Sequence, residues 1–220
     1  MKNYYPEKPT LITLEQPLFK ELELREDVVA EPKYNGTRLI LKRYGSGPAF
    51  QASKGLEFWN RQGKIIKYSA SKELLDQLDQ IKWEGDCVLD GELLHFKTIK
   101  IKHTVVLFDI LVWNGEQITN KPFSERRALL ENVSTEIKFS QNVLLAPQWK
   151  GGVANIFWGA YNLLTKVDEI EGKVIKSLNK PHKLGRTESP VVKYNWKVRK
   201  PGPSYRGGEN WRHGNEIRRD

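Results

Sequence analysis

A single cysteine, Cys87, in a chain of 220 residues excludes a disulfide framework and any multi-cysteine zinc site. No apolar run reaches the ~18 residues that a membrane-spanning helix requires. The stretch Met1-Lys2-Asn3-Tyr4-Tyr5-Pro6 has no apolar core of a secretory signal. A soluble cytoplasmic protein is therefore the expectation. Internal repeats and long low-complexity stretches are also lacking. Global disorder is excluded in turn, because 39% of the residues are hydrophobic and 10% aromatic. The length suits one large domain or two small ones, and it is enough to bury a core.

What the chain has in excess is positive charge. Lys and Arg number 36 against 27 Asp and Glu, a formal net charge of +9. Most of it falls late: from Lys176 to Asp220 there are twelve Lys/Arg and four Asp/Glu. A basic C-terminal fifth points to a polyanion, most simply nucleic acid. Tyr194, Trp196, Tyr205 and Trp211 lie among these cations, where rings can stack on bases or ribose. A solvated tail that only aids solubility is the alternative.

Hydrophobic periodicity predicts a mixed, strand-rich α+β chain. Residues 28–43 are rich in aliphatic and β-branched residues and predict two strands around a turn at Tyr34-Asn35-Gly36. Leu74, Leu75, Leu78 and Ile81 follow helical spacing after Ser71, a candidate N-cap. Residues 87–94 and 103–112 read as strands, the second buried on both faces. Pro122 opens a helix, and residues 154–167 form an amphipathic one. Residues 173–177 and 191–198 read as strands. Lys200-Pro201-Gly202-Pro203-Ser204 ends regular structure. One domain over residues 1–202 and a basic, Gly-rich tail over 203–220 are expected.

Five places can carry chemistry. Lys33 stands beside a tight Gly turn, where the backbone can approach a ligand closely and a lysine of lowered pKa can act as a nucleophile. Lys-x-x-Gly occurs three times, at Lys33, Lys42 and Lys82, but only Lys33 has an acid two residues before it and an arginine, Arg38, five after. A surface hairpin lysine is the bland alternative. Asp90-Gly91-Glu92 sets a carboxylate at a strand interruption, able to bind ribose hydroxyls or a metal, or simply solvated at a bulge. Phe108-Asp109 lies inside an apolar strand. Its ring is either core or a base platform, and its aspartate needs a partner. Glu171-Gly172 leads into a strand. Lys193, Lys197 and Arg199 share one strand parity and are expected on one face, as a phosphate clamp or a solvated row.

The order Lys-x-x-Gly, Asp-Gly-Glu, Phe-Asp, Glu-Gly-x-Val-x-Lys, then a basic strand resembles the covalent nucleotidyltransferase superfamily of ATP-dependent DNA ligases, RNA ligases and mRNA capping enzymes. Phe108-Asp109-Ile110-Leu111-Val112-Trp113-Asn114-Gly115, followed by Pro122-Phe123-Ser124-Glu125-Arg126-Arg127-Ala128-Leu129-Leu130, resembles DNA ligases in particular. Ser53-Lys54 resembles their Ser-Arg pair. The resemblance implies an ATP-grasp-like ligase nucleotidyltransferase domain with antiparallel sheets and flanking helices. It implies Lys33 as the nucleophile that takes AMP from ATP, and Glu31 as a reader of adenine. Arg38 would contact phosphate or nucleic acid, Glu92 the ribose, and Phe108 the adenine face. Glu171 would hold Mg²⁺, and two of Lys193, Lys197 and Arg199 the α-phosphate. Lys54, with Arg206 and Arg212 in the tail, would grip nucleic acid. The implied substrate is a nicked DNA duplex or, alternatively, an RNA-containing one, and the implied state is a monomer.

The sequence departs from the ligase pattern at Asn35, where DNA ligases carry aspartate, and at Arg199, where a second lysine is common. No OB-fold domain follows the last motif within these residues. An RNA ligase and a nucleic-acid-binding module without catalysis stay open as alternatives. The second predicts binding without a lysine–AMP adduct.

Overall fold

The computed structural model describes residues 4–45, 55–135, 140–164, 167 and 169–200. In chain order the elements are β1 (Tyr5–Pro6), β2 (Lys8–Leu11), α1 (Pro17–Glu23), β3 (Val28–Tyr34), β4 (Thr37–Arg43) and β5 (Leu56–Trp59). There follow α2 (Lys72–Leu78), β6 (Cys87–Leu94), β7 (Thr104–Trp113), β8 (Glu116–Gln117), α3 (Phe123–Val133), β9 (Val143–Leu145) and β10 (Trp149–Lys150). Then come α4 (Ile156–Leu164), β11 (Ile170–Ser177), β12 (Leu184–Gly185) and β13 (Val191–Arg199).

Two large sheets carry the fold. One has the order β10-β3-β11-β13-β2, the other β5-β4-β6-β7-β8 with β9 beside β7. Pairing is antiparallel except at β13–β2 and β7–β9. The Asn35-Gly36 turn is thus no hairpin. It passes the chain from the first sheet to the second, because β3 pairs with β11 and β4 with β6.

Strand alternation sorts the residues. On the first sheet Val28, Ala30, Ile175, Trp196 and Val198 point outward, under Phe19 and Leu22 of α1 and Phe157 and Tyr161 of α4. On the second, Leu39, Leu41, Leu89, Leu93 and Leu107 pack with Leu74 and Leu78 of α2 and Leu130 of α3. Of the opposite parity, Glu31, Lys33, Val174, Lys176, Lys197 and Arg199 on the first sheet and Arg38, Asp90 and Glu92 on the second line a shared cavity.

The helix ends have local and distant causes. Ser71 caps α2, its hydroxyl accepting from the Leu74 N–H at 3.3 Å. Helix α4 is shorter than its periodicity predicts. Asn155, with φ of 64°, stands before it, and its cap comes from α1: Glu23 accepts from the N–H groups of Phe157 and Trp158 at 2.6 and 2.9 Å.

Candidate active site

The cavity between the sheets measures about 950 Å³. Of the three Lys-x-x-Gly lysines, only Lys33 lines it. Lys42 is buried elsewhere, 3.7 Å above the Trp59 ring, and Lys82 is exposed.

The turn that presents Lys33 is sewn down on both sides. The Asn35 N–H donates to the Glu169 carbonyl at 2.8 Å, and the Gly36 N–H to Glu92 Oε1 at 3.1 Å. Lys97 Nζ donates to the Gly36 carbonyl at 2.5 Å. A Cβ at Gly36 would stand 2.6 Å from the Leu93 carbonyl oxygen, so this close crossing of β6 requires glycine.

Cross-strand register assembles the rest. Gly172 of β11 pairs with Lys33 on one side and Arg199 on the other, and Val174 pairs with Glu31 and Lys197. A register irregularity between Ile170 and Gly172 turns Glu171 toward the cavity, next to Val174 and Lys176 of the regular parity. Glu171 forms an ion pair with Lys33, and Arg199 Nη2 lies 3.9 Å from the same carboxylate oxygen.

Burial drives the Lys33 pKa down to about 7; Glu92 opposes the shift, and Arg199, Lys197 and Lys97 add to it. The Glu171 carboxylate in contact with Lys33 acts in the opposite direction, favouring the ammonium. Glu92 moves the other way: its pKa is raised by burial, against the pull of Lys33, Arg38 and Lys97.

On the facing sheet an irregularity between Asp90 and Gly91 leaves one extra residue in β7, so Phe108 and Asp109 both border the cavity. Asp109 has the partners its burial demands. Arg126 binds it through two hydrogen bonds of 2.8 Å, and His182 Nδ1 lies 3.2 Å from it. Its pKa is held far below the usual carboxylate range, since Arg126 and His182 outweigh burial. The Glu7 N–H donates to His182 Nε2, so Nδ1 carries the proton toward Asp109. Arg38 is gripped by Asp90 through two hydrogen bonds, and its guanidinium lies 4.8 Å from the Phe108 ring centroid.

The cavity thus brings together Glu31, Lys33, Arg38, Glu92, Phe108, Glu171, Lys197 and Arg199. Lys193 is exposed and outside it: β13 pairs with β11 only from Asn195 onward, and its register against β2 shifts between Val192 and Trp196. Lys54, Arg206 and Arg212 lie outside the described residues. Sequence reasoning assigned no role to Lys176, which lies 2.7 Å from Glu31 and 4.7 Å from the Phe108 ring centroid. Its strand parity with Val174 was the available signal. Residues 176–200 hold eight Lys/Arg and one acid, and Lys176, Lys180, Lys197 and Arg199 of these line the cavity. Much of the late positive charge is therefore site charge.

Among the described residues no cluster of three or more His, Cys, Asp or Glu could hold a metal by itself. Glu171, one cavity carboxylate beside room for phosphate, fits Mg²⁺, which keeps water and phosphate oxygens among its ligands. No helix among the described residues is long and apolar enough to cross a membrane.

Residues 95–195 match the family model of the ATP dependent DNA ligase domain. The SPbeta prophage-derived DNA ligase-like protein LigB of Bacillus subtilis is 25% identical over 188 residues, covering 78% of this chain and 60% of its own. The DNA ligase of Nanoarchaeum equitans is 39% identical over 90 residues, 39% of this chain and 15% of its own. The ligase domain of M. tuberculosis LigD has a TM-score of 0.59 at 15% identity, over 88% of this chain and 59% of that one. The ATP-dependent DNA ligase of bacteriophage T7, solved with ATP, gives 0.53 at 15%, over 90% and 68%. The fold is that of ligase nucleotidyltransferase domains, without an OB-fold domain among the described residues. Within that class the chain resembles the adenylation domain of ATP-dependent DNA ligases. It spans about 60% of the length of the prophage relative and less of the archaeal ligase.

Proposed function

We propose that the chain is the catalytic part of an ATP-dependent polynucleotide ligase that seals nicks in DNA through a lysyl-AMP intermediate. The observation that carries this reading is Lys33: it lines the cavity, and its pKa is lowered to about 7. At pH 7 about half of such a lysine is neutral, against roughly one in a few thousand for an ordinary one. Its Nζ attacks the α-phosphorus of ATP. A P–N bond forms, the bond to pyrophosphate breaks, and the proton shed by the attacking nitrogen goes to solvent. Lys197 and Arg199 neutralise the α-phosphate oxygens as charge develops.

Glu31 accepts from the adenine amino group, Phe108 stacks on the base, and Glu92 binds the ribose. Glu171 is the side chain that would hold Mg²⁺, whose charge, when bound, stabilises the phosphates. AMP then passes to the 5′-phosphate of the nick. Attack by the 3′-hydroxyl forms the phosphodiester and releases AMP.

Intact-protein mass after incubation with ATP and Mg²⁺ tests the reading. A gain of one AMP is expected, absent in Lys33→Ala, and lost again on adding a nicked DNA duplex. An adduct discharged only by a nicked RNA-containing duplex would make the enzyme an RNA ligase. No adduct at all would favour a binding module.

A further inference from the structure

The Glu31 carboxylate is held by groups to which the sequence reading gave no role. Gln148, just before β10, donates its Nε2 to Glu31 Oε1 at 2.7 Å. Arg127 of α3 brings Nη1 to 3.7 Å from the same oxygen. That Nη1 is buried and has no hydrogen-bond partner, although Arg127 is fixed by bonds to the Ala146 carbonyl and to Glu131. The other carboxylate oxygen takes Lys176 at 2.7 Å. Glu31 itself is only 2% exposed, and that remnant opens on the cavity.

We propose that Gln148 and Arg127 are positioning residues for nucleobase selection: Gln148 by its hydrogen bond to Glu31, and Arg127 by the charge it holds 3.7 Å from the same oxygen, aim the remaining lone pairs at the base as acceptors. This rests on the reading of Glu31 given above. An ionised carboxylate can only accept. Adenine presents an amino donor at position 6, whereas guanine presents a carbonyl oxygen there. Ringed by donors, Glu31 cannot turn to relieve a clash of lone pairs, so guanine is refused. A site built to hydrogen-bond one group rejects an analogue of opposite polarity far better than an apolar pocket does.

The test separates donation from packing. Gln148 is half-buried, and its Leu, Lys and Glu variants fill similar space. Gln148→Leu is expected to raise the KM for ATP about tenfold and to cut ATP-over-GTP discrimination in adduct formation about tenfold, with kcat within threefold of the parent. Gln148→Lys, still a donor, keeps the discrimination. Gln148→Glu, an acceptor of like charge, loses most of it. ATP and GTP binding is measured by calorimetry on the same proteins. An absent adduct in the parent would then sink the ligase reading, and binding ratios would still judge this one. Equal discrimination in Leu, Lys and parent proteins overturns it.

Discussion

Lys33 and Arg199 face each other across Gly172, which pairs with both in the β3–β11–β13 ladder. A side chain at that position would run into the backbone of β13. Gly172 has φ of 146°, and a Cβ there would lie 2.0 Å from the Val198 carbonyl oxygen. The Glu-Gly pair is thus a geometric unit: the glycine allows the irregularity that turns Glu171 toward Lys33. Gly172→Ala should cost about 1–3 kcal/mol in backbone strain, with more from the clash. It should also abolish the lysine–AMP adduct. Denaturant unfolding and intact mass measure the two losses, and an alanine variant that keeps both would refute the account.

The rate of adduct formation should carry the Lys33 titration. Below pH 7 it should rise about tenfold per pH unit, then level off above about 7, since only the neutral amine attacks. Single-turnover mass spectrometry across pH 5–9 reads it directly. A rate still climbing tenfold per unit at pH 9 would place the amine near its ordinary value and remove the main support for Lys33 as an activated nucleophile.

Lys173 is the second lysine brought down to about 7 by burial, opposed by Glu23, and it faces away from the cavity. Its Nζ donates to the Phe157 carbonyl at 2.9 Å and lies 4.7 Å from the Trp149 ring centroid. Its native pKa is below its unfolded value near 10.5. Between those pH values the unfolded chain binds more protons, so stability rises with pH from about 7 to about 10.5. Lys173→Met should therefore stabilise the protein below pH 7 and flatten that rise. Thermal unfolding at pH 6 and pH 9 gives both quantities. An equal effect at both pH values would mean that packing, not charge, governs the site.

Asp109 and Arg126 form a buried pair on the wall of the cavity, with the Lys121 carbonyl accepting a further Arg126 donor at 2.5 Å. Arg126→Met leaves a buried carboxylate short of its main partner, a loss of about 3–5 kcal/mol. Removing both charges in Asp109→Leu/Arg126→Met should recover most of it. The double-mutant cycle in urea is the measurement, and additive losses would show that the two residues act independently.

The elements that carry the site were legible because their signals are local. Ser71 caps its helix as its neighbours require, and the apolar runs of β6 and β7 appear where expected. Pairing was not legible. Asn35-Gly36 announces a turn, but nothing nearby tells whether the flanking strands pair with each other or join different sheets. Phe108-Asp109 shows no sign of the extra residue that gives both side chains to the cavity. Lys193 shares its parity with Lys197, yet parity means nothing across the irregular stretch of β13. The cap of α4 comes from Glu23, more than a hundred residues away, so the start of that helix could not be read locally. Gln148 sits in no motif at all and is found only through its bond to Glu31.

Lys97 acts on Lys33 in two separable ways. It holds the Gly36 carbonyl, and its charge helps to depress the Lys33 pKa. Removing that charge in Lys97→Ala lets the Lys33 pKa rise, so a smaller fraction is neutral at pH 7. Adduct formation should fall severalfold there and return toward the parent rate at pH 9, where both proteins are largely deprotonated. If instead the turn is the greater debt, the loss persists at pH 9, because a loosened lysine is misplaced at every pH. The pH–rate profiles of parent and variant, overlaid, distinguish field from scaffold. The electrostatic account requires that they converge at high pH.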